Sequence, residues 1–232
     1  MNSFLQPVIS VFASILDVIF QFAHDWGIAI VLFTLLVRSL LFPLNLRTAR
    51  QQVLQASIQP ELKLLRERYK EDQATMMQET MNLYQKVGVK PFSMFGTALM
   101  QMPIFMAMYG LFFSHGAAMS SSLIPWVVTF AQTDALHILP ALAAGLTFLT
   151  SMIPLSGDMI PQAPIGQRMG MSLIMVVVFL FVLWKAPVAL GLYWTTGSLF
   201  ALLERGFYRT SLGKKLLQPK PSVQLLNEPS GN

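Results

Sequence analysis

With 54% of its 232 residues hydrophobic and only 12% charged, the chain cannot cover a water-facing surface, which in soluble domains carries about a quarter charged residues. The composition reads as an all-α polytopic membrane protein, and the absence of cysteine excludes disulfides, thiolate metal sites, a thiol nucleophile and a lipid anchor on any cysteine of this sequence. A net charge of +5 is modest, so the placement of the sixteen Lys and Arg residues says more than their sum.

Residues 4–23 set Leu5, Val8, Ile9, Phe12, Ile15, Leu16, Ile19 and Phe20 among Ser10, Ser14, Asp17 and Gln21, which recur at helical spacing. A helix with two such faces suits the membrane interface better than its interior, so residues 1–25 are assigned to an outer-side interfacial amphipathic helix. A signal peptide fits less well, because no basic residue precedes the apolar run and no small-residue cleavage site follows it. His24 and Asp25 turn the chain into a first span, residues 26–47. Within its apolar stretch stands Arg38, about 18 Å along the axis from Trp26 at about 1.5 Å rise per residue. That is past the middle of a hydrocarbon core about 30 Å thick, where a charge costs about 2.5–3.5 kcal/mol even on the lenient insertion scale.

From Arg47 onward, through the hairpin segment 48–90, the chain changes character, with Arg47, Arg50, Lys63, Arg66, Arg68, Lys70, Lys86 and Lys90. Leu54, Ile58, Leu62, Leu65 and Tyr69 step by three or four, as do Met77, Met81 and Tyr84. Lys70-Glu71-Asp72-Gln73 interrupts the pattern, with Asp72 as N-cap. The segment reads as a cytoplasmic helical hairpin, either a solvated spacer or a docking arm. Gly88 ends it, and Pro91 opens a second span, residues 91–113, with a kink expected at Pro103. The outer loop 114–134 has no Lys or Arg and holds Trp126 among apolar residues, as an interfacial anchor does. A third span follows at 135–153, capped by Thr133 or Asp134, then a Pro- and Gly-rich cytoplasmic loop, 154–167, expected to be mobile. Spans four and five cover 168–184 and 188–203, joined by Lys185-Ala186-Pro187, and a basic tail occupies 204–232.

Five spans put the two ends of the chain on opposite sides. Fourteen of the sixteen basic residues then fall on the side of the hairpin and tail, only Lys185 on the other, and Arg38 in the membrane. The positive-inside rule makes the hairpin and tail cytoplasmic and residue 1 external.

Enzyme chemistry has little to work with. His24, His115 and His137 stand at unrelated spacings, and no Ser/His/Asp order, phosphate-binding glycine loop or paired intramembrane carboxylates occur. The reading is of a non-enzyme without cofactor or metal. Arg38 has no acidic residue in any predicted span to pair with, so it either faces a hydrated cavity or pins helices through backbone carbonyls. Thr34, one turn earlier, adds a second polar group to its wall, and Gln101 in the second span a third. In the fifth span Tyr193, Trp194, Thr195, Thr196 and Ser198 form a polar and aromatic cluster. It reads either as anchoring and small-residue packing or as one wall of a half-polar groove.

The segments GIAIVLFTLLVRSLLFPL, QPELKLLRERY, LMQMPIFMAMYGLF, ILPALAAGLTF and GLYWTTGSLF, in that order, resemble the YidC/Oxa/Alb membrane-protein insertases over about residues 4–207. The chain is similar to the minimal five-span bacterial form without a large periplasmic domain. The resemblance implies five transmembrane helices around a hydrophilic groove that opens to the cytoplasm and to lipid, with Arg38 as its positive charge. Thr34, Phe105 and Trp194 match positions on the substrate path. It further implies short or single-span nascent membrane proteins as substrates, inserted into the lipid bilayer alone or beside the Sec translocon, with signal recognition particle and ribosome contacts. The missing cysteine, Lys185 in the fourth-to-fifth link and a short basic tail depart from the family pattern. The bacterial cell membrane is the implied location, a monomer the expected state, and no nucleic acid is recognised beyond ribosome contact. Two competing readings use the same groove, a small anion or solute transporter and a lipid scramblase; no pair of broken helices supports the first.

Overall fold

The computed structural model describes residues 6–90, 93–155 and 165–218. These are helical or looped, with one isolated antiparallel bridge between Thr133 and Pro187. In chain order the helices are α1 (Gln6–Ala23), α2 (Trp26–Ser57), α3 (Gln59–Arg68), α4 (Gln73–Val87), α5 (Ser93–His115), α6 (Ile138–Met152), α7 (Ile165–Trp184), α8 (Val188–Tyr208) and α9 (Ser211–Leu217), with a 3₁₀ turn at Gly116–Ala118 after α5. The described residues fall into two compact units. One lies within Met1–Phe42, Leu99–Ile153 and Pro164–Arg205, the other within Pro43–Ala98, Pro154–Ala163 and Gly206–Asn232.

The first unit is built on an apolar core in which Phe33, Met108, Leu111, Phe112, Phe130 and Leu190 are buried. Ile9 and Leu16 of α1 are buried in it, and Phe12 meets Phe33 edge-on at 5.3 Å. Ser10 and Ser14 donate to the carbonyls of Pro7 and Ser10, so these hydroxyls are satisfied within α1 itself. The exposed side of α1 is mixed, with Val11, Val18 and Phe22 beside Gln6, Ser10, Ser14, Asp17 and Gln21. By length and composition both α1 and α2 are long and apolar enough to cross a membrane.

Helix α6 lies within the 135–153 segment expected as the third span and starts three residues after its expected beginning. It begins at Ile138, because the chain from Asp134 to His137 first wraps the Asp134 carboxylate, and His137 then enters the helix in a left-handed conformation (φ 53°). Asp134 is only 3% exposed and accepts Trp126 Nε1 at 3.0 Å, the Leu136 amide at 3.1 Å and the Leu139 amide at 2.8 Å. Trp126 thus uses its indole N–H on a buried carboxylate. At the other end, Arg168 and Arg205 donate to the carbonyls of Met152 and Ile153, placing two cations at the negative end of α6. Between α1 and α2, Asp25 accepts Ser121 Oγ at 2.5 Å, the Ile28 amide at 3.1 Å, and the Ser122 amide and hydroxyl at 2.9 Å each.

In the second unit Leu54, Ile58, Leu62 and Val89 are buried, with Leu83, Tyr84 and Val87 packed on them. The boundary expected at residue 47 is not a helix end, since α2 runs unbroken from Trp26 through Pro43 to Ser57. It stops where Pro60, lacking an N–H and clashing with the carbonyl four residues back, cannot extend it. Asp72 caps α4, accepting the Thr75 amide at 3.0 Å and the Thr75 hydroxyl at 2.6 Å, bonds that lower its pKa. Gly88 closes α4 at φ 77°, a conformation natural to glycine. The segment expected as a tail from residue 204 continues α8 to Tyr208 and then forms α9, whose Leu216 carbonyl accepts Arg50 Nε at 2.7 Å. Likewise Ile165 to Gln167, expected in a loop, are the first turn of α7. Pro91, the expected opening of the second span, most of the loop expected to be mobile (156–164) and the tail beyond Gln218 lie outside the described residues.

Candidate functional site

Helix α2 sets Thr34 and Arg38 one turn apart. Thr34 is fully buried and donates its hydroxyl to the Ile30 carbonyl at 2.6 Å, so the polar group expected on an open wall belongs to the packed interior. Arg38 is half-buried, and its Nε is buried without a hydrogen-bond partner among the described residues. The guanidinium lies on α8 at Gly197. A Cβ built on that glycine would stand 2.6 Å from Nη2, 3.1 Å from Nε and 3.2 Å from Cζ. The head therefore occupies space that any other residue would fill.

One turn earlier on α8 the Tyr193 ring is buried within electrostatic reach of Arg38, and its hydroxyl accepts Gln101 Nε2 at 3.1 Å. Trp194, next in sequence, faces other neighbours. Its ring meets Phe105 of α5 edge-on at 5.5 Å and Phe179 of α7 at 4.7 Å. The six predicted residues thus divide into Thr34 within the packed wall, Arg38 against α8, a Gln101–Tyr193 hydrogen bond and a Phe105–Trp194 aromatic contact.

The sequence reading missed Gly197, Phe179 and a series of hydroxyl contacts linking α6 to α7 and α8. Thr147 and Ser198 are 3.2 Å apart, Ser151 donates to Ser172 at 2.7 Å, and Thr195 donates to the Leu139 carbonyl at 3.2 Å. A glycine inside an apolar helix is the one signal that marks Gly197, since it costs stability relative to alanine unless something approaches closely. Two cavities lie away from Arg38. One, about 390 Å³, is lined by Asp17, Trp26, Leu111, His115 and Met119 among others, and another, about 350 Å³, lies between α3 and α4. Among the described residues no group of three or more His, Cys, Asp or Glu side chains is arranged to hold a metal ion.

Residues 18–215 match the family described as 60Kd inner membrane protein. The chain belongs to this family of inner membrane proteins, in agreement with the resemblance carried by its motifs. It is 32% identical over 196 residues to a protein of Shewanella amazonensis named membrane protein insertase YidC, covering 84% of this chain and 35% of that relative. A protein of the same name from Actinobacillus succinogenes is 30% identical over 209 residues, covering 90% of this chain and 38% of the relative. The chain therefore spans little more than a third of the length of these relatives. It also matches a solved structure titled "Active YidC insertase crystal structure with the first transmembrane domain resolved", with a TM-score of 0.68 and 24% identity over 90% of this chain and 47% of that one. That likeness establishes the fold.

Proposed function

We propose that this chain is a membrane-protein insertase and chaperone that receives short or single-span membrane proteins on a cationic wall formed by α2, α5 and α8. The carrying observation is the Arg38 guanidinium, half-buried in an apolar wall with Nε finding no hydrogen-bond partner among the described residues. A cation held this way attracts an acidic or polar segment that must cross apolar surroundings, and it does so without covalent chemistry or nucleotide hydrolysis. Gln101 and Tyr193 extend the polar side of this wall, Phe105 and Trp194 its apolar side, and Thr34 supports it from within.

Five spans, an external N-terminal side and a cytoplasmic hairpin and tail are the topology this reading uses, with α1 at the outer interface. The distribution of Lys and Arg supports the orientation. Helix α6, with 15 residues, reaches only about 22 Å, and so short a span favours a locally thinned bilayer. The partners are nascent membrane proteins and the lipid bilayer, with the Sec translocon, signal recognition particle and ribosome as helpers to a monomer.

The deciding experiment measures insertion of a single-span substrate with an acidic translocated tail into liposomes holding only this protein. Wild type inserts it, Arg38→Lys keeps most of the activity, and Arg38→Ala loses about tenfold, the equivalent of about 1.4 kcal/mol. Equal insertion by the alanine variant overturns the electrostatic account, and a wild type no better than empty liposomes overturns autonomous insertion.

A further inference from the structure

We propose that Gly197 is a positioning residue for Arg38: the missing side chain on α8 is a seat that fixes where the guanidinium stands. The inference rests on the insertase reading for its consequence, and on geometry alone for the seat. Three atoms of the head, Nη2, Nε and Cζ, lie 2.6, 3.1 and 3.2 Å from where a Cβ of residue 197 would be. Contacts under 3.0 Å are essentially never made by a real Cβ, so a side chain at 197 and the present guanidinium position exclude one another.

Which of the two gives way follows from the surroundings. Nε is buried with no acceptor, so no hydrogen bond at that atom holds the head in place. The head rests on the bare backbone of α8 at Gly197, at the end of a side chain with several rotatable bonds. A methyl at 197 therefore moves the guanidinium and leaves the packing of α8 in place. Nearby Gly191 makes the contrast, because its added Cβ would meet Leu139 Cβ, a neighbour fixed to the backbone, at 3.2 Å. Glycine at 191 serves helix packing, whereas glycine at 197 serves a side chain.

The seat predicts a coupling that simple packing does not. Alanine is the better helix former, so Gly197→Ala should gain stability wherever nothing opposes it. With Arg38 present that gain is offset by displacing the head; with Arg38→Ala it appears in full. The test measures thermal midpoints of wild type, Gly197→Ala, Arg38→Ala and the double variant in detergent. Gly206→Ala serves as the control for helix propensity, since a Cβ there meets nothing within 4 Å. The expected result is a larger rise from Gly197→Ala in the Arg38→Ala background than in wild type, while Gly206→Ala gives the same rise in both.

In the liposome assay Gly197→Ala should lower insertion of the acidic-tailed substrate roughly threefold or more, with no further loss on top of Arg38→Ala. Midpoints that add without coupling overturn the seat, whatever insertion does. Gly197→Ala inserting like wild type, or impairing insertion equally in both backgrounds, overturns the positioning role. A wild type that fails to insert while the midpoints remain coupled rejects the insertase reading and leaves the seat standing.

Discussion

Within one compact unit, two loop carboxylates and one helical guanidinium live under opposite rules. Asp134 and Asp25, in the loops flanking α6 and α2, have donors on both oxygens, three for Asp134 and four for Asp25. Arg38, between α2 and α8, keeps a buried Nε with no acceptor among the described residues. The loop groups are answered by indole, hydroxyl and backbone donors of their own chain, so their energetic role is complete when the chain has folded. An unanswered buried donor costs about 1–3 kcal/mol, and a chain retains such a cost where the group serves something beyond its own fold. The comparison therefore sets polar residues that build the scaffold against one whose buried Nε finds no partner among the described residues.

The largest test of the scaffold half is Asp134→Ala. It strands the Trp126 indole N–H and the Leu136 and Leu139 amides together, at a site 3% exposed, and removes the anion from the start of α6. Hydrogen bonds to charged groups contribute about 1.5–3 kcal/mol each but do not add fully when they share one acceptor group, so the expected loss is about 3–5 kcal/mol, read as a lowered thermal midpoint in detergent. Asp134→Asn should fall between the two, because its amide can accept from Trp126 and Leu136 but turns a second donor toward Leu139. A midpoint within experimental error of wild type for the alanine variant would break the comparison at its first term.

Asp25 gives a smaller, pH-dependent test. Partial burial acts to raise its pKa, but hydrogen bonds from Ser121, the Ile28 amide and the amide and hydroxyl of Ser122 outweigh it and hold the carboxyl at about 2, against an ordinary 3.8. A carboxyl depressed by folding stabilises the fold above its unfolded pKa, and that contribution fades as pH falls through the folded value. The link between Asp25 and the loop at Ser121 and Ser122 should thus be intact at pH 5 and weaken between about pH 4 and 2. Hydrogen exchange of the Ser122 amide, corrected for its intrinsic rate, should lose protection across that window in wild type and stay level in Asp25→Asn. Equal protection at pH 5 and pH 2.5 in wild type would mean that the loop is held by its packing alone.

How far the sequence disclosed these two classes follows from what a local pattern can carry. Arg38 stood out because a charge in an apolar run has a cost that needs no structure to see, and Asp72 and Gly88 because caps are local. The burial of Thr34 is not legible in the sequence, because a helical threonine can turn its hydroxyl to the carbonyl four residues back, and only packing reveals which face is closed. The end of α2 at Ser57 was hidden because the change from apolar to charged residues marks a change of surroundings, while helical periodicity continues through it. Gly197 carried a signal without an address: a glycine in a helix announces a close approach, but its partner lies 159 residues earlier in the chain.

The smallest expected effect is also the sharpest, because it is a near-absence on the displayed side. Arg38→Met keeps most of the apolar stem and removes the guanidinium, so it should leave the thermal midpoint unchanged or raise it slightly, since the donor it removes is unanswered at Nε. A scaffold arginine would behave like Asp134, losing several kcal/mol as its partners were stranded. Arg38 has no such partner at Nε, and its removal relieves the wall instead of breaking it. Insertion of the acidic-tailed substrate should nevertheless fall in the same variant. Stability retained while activity drops places Arg38 among residues kept for what they meet from outside. A midpoint lowered as far as in Asp134→Ala would return it to the scaffold and end the contrast.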